Sequence, residues 1–159
     1  MPESVRDRCT KAHEYVFMLS KSGRYFYDQG AIAEPSAGWN GSRFDAGKTA
    51  GHQLGRASSK DRSELDTRNR RSVWTIATQP FPEAHFAVMA PELAETCIKA
   101  ACPIGGTVLD PFGGAGTTGL VADRLQRDAI LIELNQAYAD IARNRLSKDA
   151  GLFAEVAAE

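Results

Sequence analysis

Long apolar runs are missing from this 159-residue chain. None approaches the ~18 residues that a membrane-crossing helix needs, so no membrane partner is expected. Cysteine is scarce. Cys9, Cys97 and Cys102 form no pairable set and follow no metal-ligand spacing, so free thiols in a reducing, cytoplasmic setting are expected, and no metal. The opening MPESVRDRCTK is charged throughout, which excludes a secretory signal. His13 and His52 have no neighbours in a catalytic or metal-type pattern. An excess of one charge is also lacking, with 19 Lys and Arg against 20 Asp and Glu. What remains is an ordinary soluble composition, 43% apolar, long enough for one domain with a core.

The balance conceals an asymmetry. Residues 1–75 carry thirteen basic against nine acidic side chains, and residues 76–159 carry six against eleven. A basic half beside an acidic half hints at a polyanion contact.

Along the chain, Tyr15–Leu19 (YVFML) reads as a strand buried on both faces, Ser22-Gly23 as a turn, and Arg24–Asp28 as the returning strand of a β-hairpin. From Pro35 to about Ser72 five glycines and dense charge replace any periodicity, and the segment reads as a long inserted loop with a short helix near 60–68. Val73–Ile76 reads as a short strand. Pro91 opens a helix with Leu93, Cys97, Ile98, Ala101 and Cys102 inward, and Pro103 ends it. Thr107–Asp110 is predicted as a buried strand, Thr117–Gln126 as a helix, and Ala129–Glu133 as a second buried strand. Asn135 caps a last helix whose stripe is Tyr138, Ile141, Ala142 and Leu146. The order strand, glycine loop, helix, strand, helix predicts an α/β fold with parallel strands and right-handed crossovers.

The glycine loop is TVLDPFGGAGTTG at 107–119, which contains G-x-G-x-x-G from Gly114. Such a loop lets backbone approach a nucleotide-like ligand, and the following helix supplies free N–H groups. In dinucleotide enzymes these meet a pyrophosphate. Here Asp110 ends the strand, in the crevice where ligands bind, and a carboxylate there favours a cationic ligand. S-adenosyl-L-methionine, with an ammonium, a sulfonium and no phosphate, fits. Glu133, 23 residues on, is placed to accept ribose hydroxyls of either cofactor class. The bland alternatives are a tight connection without ligand and a strand-end surface glutamate.

DPFGGAGTT at 110–118 with ILIELNQAYADIARNRL at 130–146 resembles the amino-methylating DNA methyltransferases, which modify adenine N6 or cytosine N4. HFAVMAPEL at 85–93, residues 2–28 and RNRRSVWTI at 68–76 are similar to the permuted class, in which the cofactor-binding half follows the catalytic half. The resemblance implies part of a Rossmann-like sheet that takes S-adenosyl-L-methionine and acts on double-stranded DNA. It divides the chain into a strand pair at 1–34, a target-recognition segment at 35–72 and a cofactor-binding portion at 73–159. Asp110, Phe112, Gly113, Gly114, Gly116, Thr117 and Thr118 would line the cofactor, Glu133 would hold the ribose, and Phe86 and Ala87 would lie near the methionine end. Arg68, Arg70 and Arg71, with Lys60 and Arg62, would neutralise phosphates. A solvated charge run is the alternative.

One part of the family pattern is missing. The catalytic signature Asp/Asn/Ser-Pro-Pro-Tyr/Phe does not occur, and TQPF at 78–81 has the wrong first residue and position. That signature holds the target amine while its aromatic stacks on the extruded base. No catalytic residue is therefore assigned. The chain is expected to be a C-terminal portion, inactive alone, needing an N-terminal half or partner subunit, or forming a homo-oligomer through an open sheet edge. Two other classes stay open: a non-catalytic DNA-binding or regulatory subunit, and a dinucleotide-dependent oxidoreductase, which Asp110 disfavours.

Overall fold

The structure is a computed structural model and describes residues 6–36, 67–77 and 88–149. In chain order the elements are a 3-10 turn at Gly30–Ile32, strands β1 (Glu34–Pro35) and β2 (Thr67–Arg68), helix α1 (Pro91–Ala101), strand β3 (Thr107–Asp110), helix α2 (Thr117–Arg124), strand β4 (Asp128–Leu131) and helix α3 (Gln136–Asp149). β1 and β2 pair antiparallel, with Glu34 opposite Arg68. β3 and β4 pair parallel, with Thr107 opposite Asp128 and Asp110 opposite Leu131. The β3–α2–β4–α3 run is the expected α/β unit of a Rossmann-like sheet.

Local chemistry explains these elements. Pro91 sits at the first helical position of α1, where its missing N–H costs nothing. The helix stops before Pro103, and its terminal carbonyl on Cys102 accepts hydrogen bonds from Arg127 Nε at 3.2 Å and Nη2 at 3.0 Å. Asn135 caps α3, its Oδ1 accepting from the Ala137 N–H at 3.0 Å. At the far end of α3, Asp149 takes both Arg124 Nε and Nη2, at 2.7 and 2.6 Å. The Arg124 hydrogen bond holds the Asp149 carboxyl below its usual range.

The core lies between α1 and α2 over β3. Ala94, Ile98, Val121 and Ala122 are buried together, with Cys102, Val108 and Leu125 packed against them. The inner face of α1 is Ala94, Thr96, Ile98 and Ala100. Of the expected stripe, Leu93 and Cys97 are half-buried and Ala101 is exposed, so α1 is rotated from the sequence expectation. On α3 the expected stripe faces inward, Ala142 buried and Tyr138, Ile141 and Leu146 half-buried.

Three sequence expectations are corrected. Tyr15–Leu19 and Arg24–Asp28 form no strand, and Phe17 and Leu19 are 78% and 91% exposed. Val73–Ile76 is likewise not a strand. β3 and β4 are not buried on both faces, with Leu109 and Ile130 exposed. One cause covers all three: apolar strand runs become strands only beside a partner ladder, and β3 has one neighbour among the described residues. The expected helix near 60–68 lies outside the described residues except at Thr67–Arg68, which is strand. No helix among the described residues is long and apolar enough to cross a membrane.

Ile98→Ala removes a buried branched side chain from this small core and should destabilise the fold by about 2–4 kcal/mol. Urea unfolding should show a lower midpoint at nearly unchanged slope. An unaltered midpoint would mean that α1 does not pack as described.

Candidate functional site

β3 delivers Asp110 to the mouth of the glycine turn. Asp110 Oδ1 accepts the Phe112 N–H at 2.9 Å, and Oδ2 accepts the Thr118 hydroxyl at 2.5 Å. The parallel pairing continues past Asp110, with Ile132 N–H donating to Asp110 O at 2.9 Å and Gly113 N–H to Ile132 O at 2.8 Å. That extension brings Glu133 beside the loop. Its Oε2 accepts the Gly114 N–H and its Oε1 the Asn135 N–H, both at 2.8 Å. Two carboxylates from adjacent strand ends thus bracket one turn, each oriented by backbone amides and each with lone pairs to spare.

The turn itself needs glycine at two positions. Gly116 adopts φ +77°, and a Cβ there would sit 2.9 Å from the Cβ of Ala142 on α3. A Cβ on Gly113 would sit 2.9 Å from the Cβ of Leu131. Strand β4 and helix α3 therefore approach the loop backbone directly. Thr117 and Thr118 begin α2 and are both buried, but they face different partners. Thr118 reaches Asp110, while Thr117 Oγ1 accepts from Arg145 Nη1 at 2.9 Å. Arg145 escaped the sequence reading. Its signal was position, a basic residue among the inward-facing residues of α3.

Phe112 is 86% exposed at the turn, and Leu134 beside Glu133 is fully exposed. An apolar groove of about 590 Å³ runs between α1 and β3, lined by Leu93, Cys97, Ile98 and Leu109 and ending at Asp110 and Thr118. Burial pushes the Cys97 thiol up. No group of metal-ligating side chains occurs among the described residues. Phe86, Ala87, Lys60 and Arg62 lie outside the described residues.

The remaining basic candidates cluster at and just after the β1–β2 ladder. Arg68 Nε and Arg71 Nε both reach Glu34 Oε1, at 2.9 and 2.7 Å. Arg70 lies 3.6 Å from Glu92 and 5.1 Å over the ring of Trp74. Among the described residues, one carboxylate thus serves two guanidiniums at Glu34.

The family model for DNA methylases of the N6/N4 type matches residues 1–144. The type II methyltransferase M.SmaI of Serratia marcescens is 42% identical over 145 residues, which are 91% of this chain and 41% of that protein. M.Cfr9I of Citrobacter freundii is 43% identical over 146 residues, 92% of this chain and 40% of its own. A solved structure of an M1.HpyAVI–SAM complex is 38% identical and covers 37% of this chain and 29% of that one, at a TM-score of 0.35. The chain belongs to the N6/N4 DNA methylase family. It spans about two fifths of the length of those curated relatives.

Burial alone would push the Glu34 carboxyl up, but the charge of Arg71 and hydrogen bonds from Arg68 and Arg71 outweigh it and hold it below the usual glutamate range. Its folded pKa therefore lies below its unfolded one. The ion pairs stabilise the loop base above the ordinary carboxylate range, and that contribution is lost as pH falls through the lowered value. A carbon-13 titration of the Glu34 carboxyl should show the depressed midpoint, and Glu34→Gln should flatten the acid limb of stability. A midpoint above the usual value would contradict the pairing.

Proposed function

We propose that this chain is the cofactor-holding portion of an amino-methylating DNA methyltransferase that uses S-adenosyl-L-methionine. The supporting observation is the bracketed glycine turn. The N–H groups of Phe112 and Gly114, which a pyrophosphate would seek, are already taken by Asp110 and Glu133. Their charges repel a phosphate and attract a cation. S-adenosyl-L-methionine, when bound, supplies a methyl group on a positively charged sulfur. The residues present fit it. Asp110, held by Thr118, offers anionic oxygen to its charged end. Glu133 keeps lone pairs for ribose hydroxyls. Gly113, Gly114 and Gly116 admit the ligand to the backbone, Phe112 offers apolar surface, and Thr117 holds the helix start. Phe86 and Ala87 would complete the methionine end. In this reading residues 73–159 bind cofactor and residues 35–72 recognise the target. Arg68, Arg70 and Arg71, with Lys60 and Arg62, bind DNA phosphates, and the two guanidiniums gathered on the single carboxylate of Glu34 support that role.

The Asp/Asn/Ser-Pro-Pro-Tyr/Phe signature does not occur in the sequence, and in this reading a further segment or partner subunit of the permuted arrangement holds the target amine. Residues 1–34 become a strand pair once such a neighbour completes the sheet. The edge of β3, unpaired among the described residues, the exposed Tyr15–Leu19 run and the apolar groove support a missing neighbour or a homo-oligomer in the cytoplasm. The purified chain should therefore transfer no methyl groups to unmethylated genomic DNA and should associate in light scattering. Robust turnover, or a stable monomer, would count against this completion. DNA binding without turnover, even with an added catalytic half, would favour a non-catalytic subunit instead.

S-adenosylhomocysteine should raise the melting temperature where NAD does not. Asp110→Asn keeps the Thr118 contact but loses the charge, and should weaken binding of the charged methyl donor by about tenfold or more. Stabilisation by NAD alone would replace this reading with the oxidoreductase one.

A further inference from the structure

Helix α3 touches the glycine turn from behind at two points one turn apart. Ala142 fills the space that a side chain on Gly116 would need. Three residues on, Arg145 Nη1 donates to Thr117 Oγ1 at 2.9 Å and to the Ala115 carbonyl at 3.2 Å. Ala115 and Thr117 are 8% and 3% exposed, so water is a poor substitute for these bonds. A buried carbonyl or hydroxyl that loses its partner is costly, typically by about 1–3 kcal/mol. A guanidinium beside a helix N-terminus also opposes the helix dipole, so no general helix preference explains this placement. Thr117 and Thr118 are thus divided. Thr118 serves Asp110 on the open side, and Thr117 anchors the turn to α3 on the closed side.

We infer that Arg145 is a positioning residue: through Thr117 and the Ala115 carbonyl it fixes the glycine turn in the form that receives a nucleoside ligand. The ligand part of this inference rests on the function proposed above; the mechanical part does not. The turn backbone is also held by the Gly113 N–H to Ile132 O and Gly116 N–H to Gly113 O bonds, both at 2.8 Å, and by the two carboxylates. Bonds on the front face are the ones a ligand competes with. Arg145 holds the turn from helix α3, through groups other than the two carboxylates, so its grip does not depend on them.

The test compares the full chain with Arg145→Met, Arg145→Lys, Thr117→Val and the Arg145→Met/Thr117→Val pair. Arg143→Met serves as a control on the exposed face of the same helix. Hydrogen exchange is measured without ligand, and S-adenosylhomocysteine affinity by calorimetry. Arg145→Met should accelerate exchange at the amides of residues 113–118 by about tenfold, the loss of roughly 1.4 kcal/mol, and leave α1 at its wild-type rate. Affinity should fall by a similar factor, Lys should restore part of it, and the double variant should lose less than the sum of the singles. Unchanged exchange in the turn, equal acceleration in α1, unchanged affinity in a variant whose turn is loosened, or strictly additive losses would each overturn the inference. If wild type takes up no S-adenosylhomocysteine while the turn still loosens in Arg145→Met, the mechanical role stands and the ligand assignment falls.

Discussion

Two carboxylates gripping one glycine turn are the constraint on which the rest of this molecule depends. Asp110 and Glu133 come from the ends of neighbouring parallel strands, and each accepts a main-chain N–H from the turn between β3 and α2. The hydrogen bonds are charge-assisted and short, which fixes the turn more firmly than neutral contacts would. The parallel register is what places both acids there, since Asp110 lies opposite Leu131 and the pairing runs on to Gly113 and Ile132. A one-residue slip would turn Glu133 to the other face.

The same arrangement decides the electrostatics of the site. A helix start with free N–H groups ordinarily invites an anion. Here two anions are built in, and they already take the turn amides of Phe112 and Gly114. That inversion separates it from a pyrophosphate cradle of similar glycine spacing. Behind the turn, Arg145 and Ala142 supply a positive charge and a close backbone contact, so the loop is held on both sides before any ligand arrives.

Away from the turn the described residues bury less. Their buried cluster is small, and large apolar side chains from Tyr15 to Leu19, and at Leu109 and Ile130, remain open. A two-stranded sheet is a marginal structure by itself. These surfaces fit a chain that spans about two fifths of its curated relatives. The β1–β2 ladder, two residues long, closes the base of the long basic segment with Glu34 shared between Arg68 and Arg71. It joins Pro35 to Thr67 by a pairing that no local pattern announces.

The amino-acid sequence by itself determined the α1, β3, α2, β4 and α3 series, the Pro91 start, the Asn135 cap, the glycine turn and its two acids. Those features are local: a proline, a cap, a period or a glycine spacing acts within a few residues and needs no distant partner. Tertiary structure alone decided that YVFML forms no strand, that α1 turns Ala94 and Thr96 rather than Ala101 inward, and that Glu34 sits between two arginines. It also decided that Thr117 and Thr118 part ways, one to Arg145 and one to Asp110. Those outcomes turn on which surfaces meet across tens of residues, and a strand or an ion pair exists only when its partner is in reach.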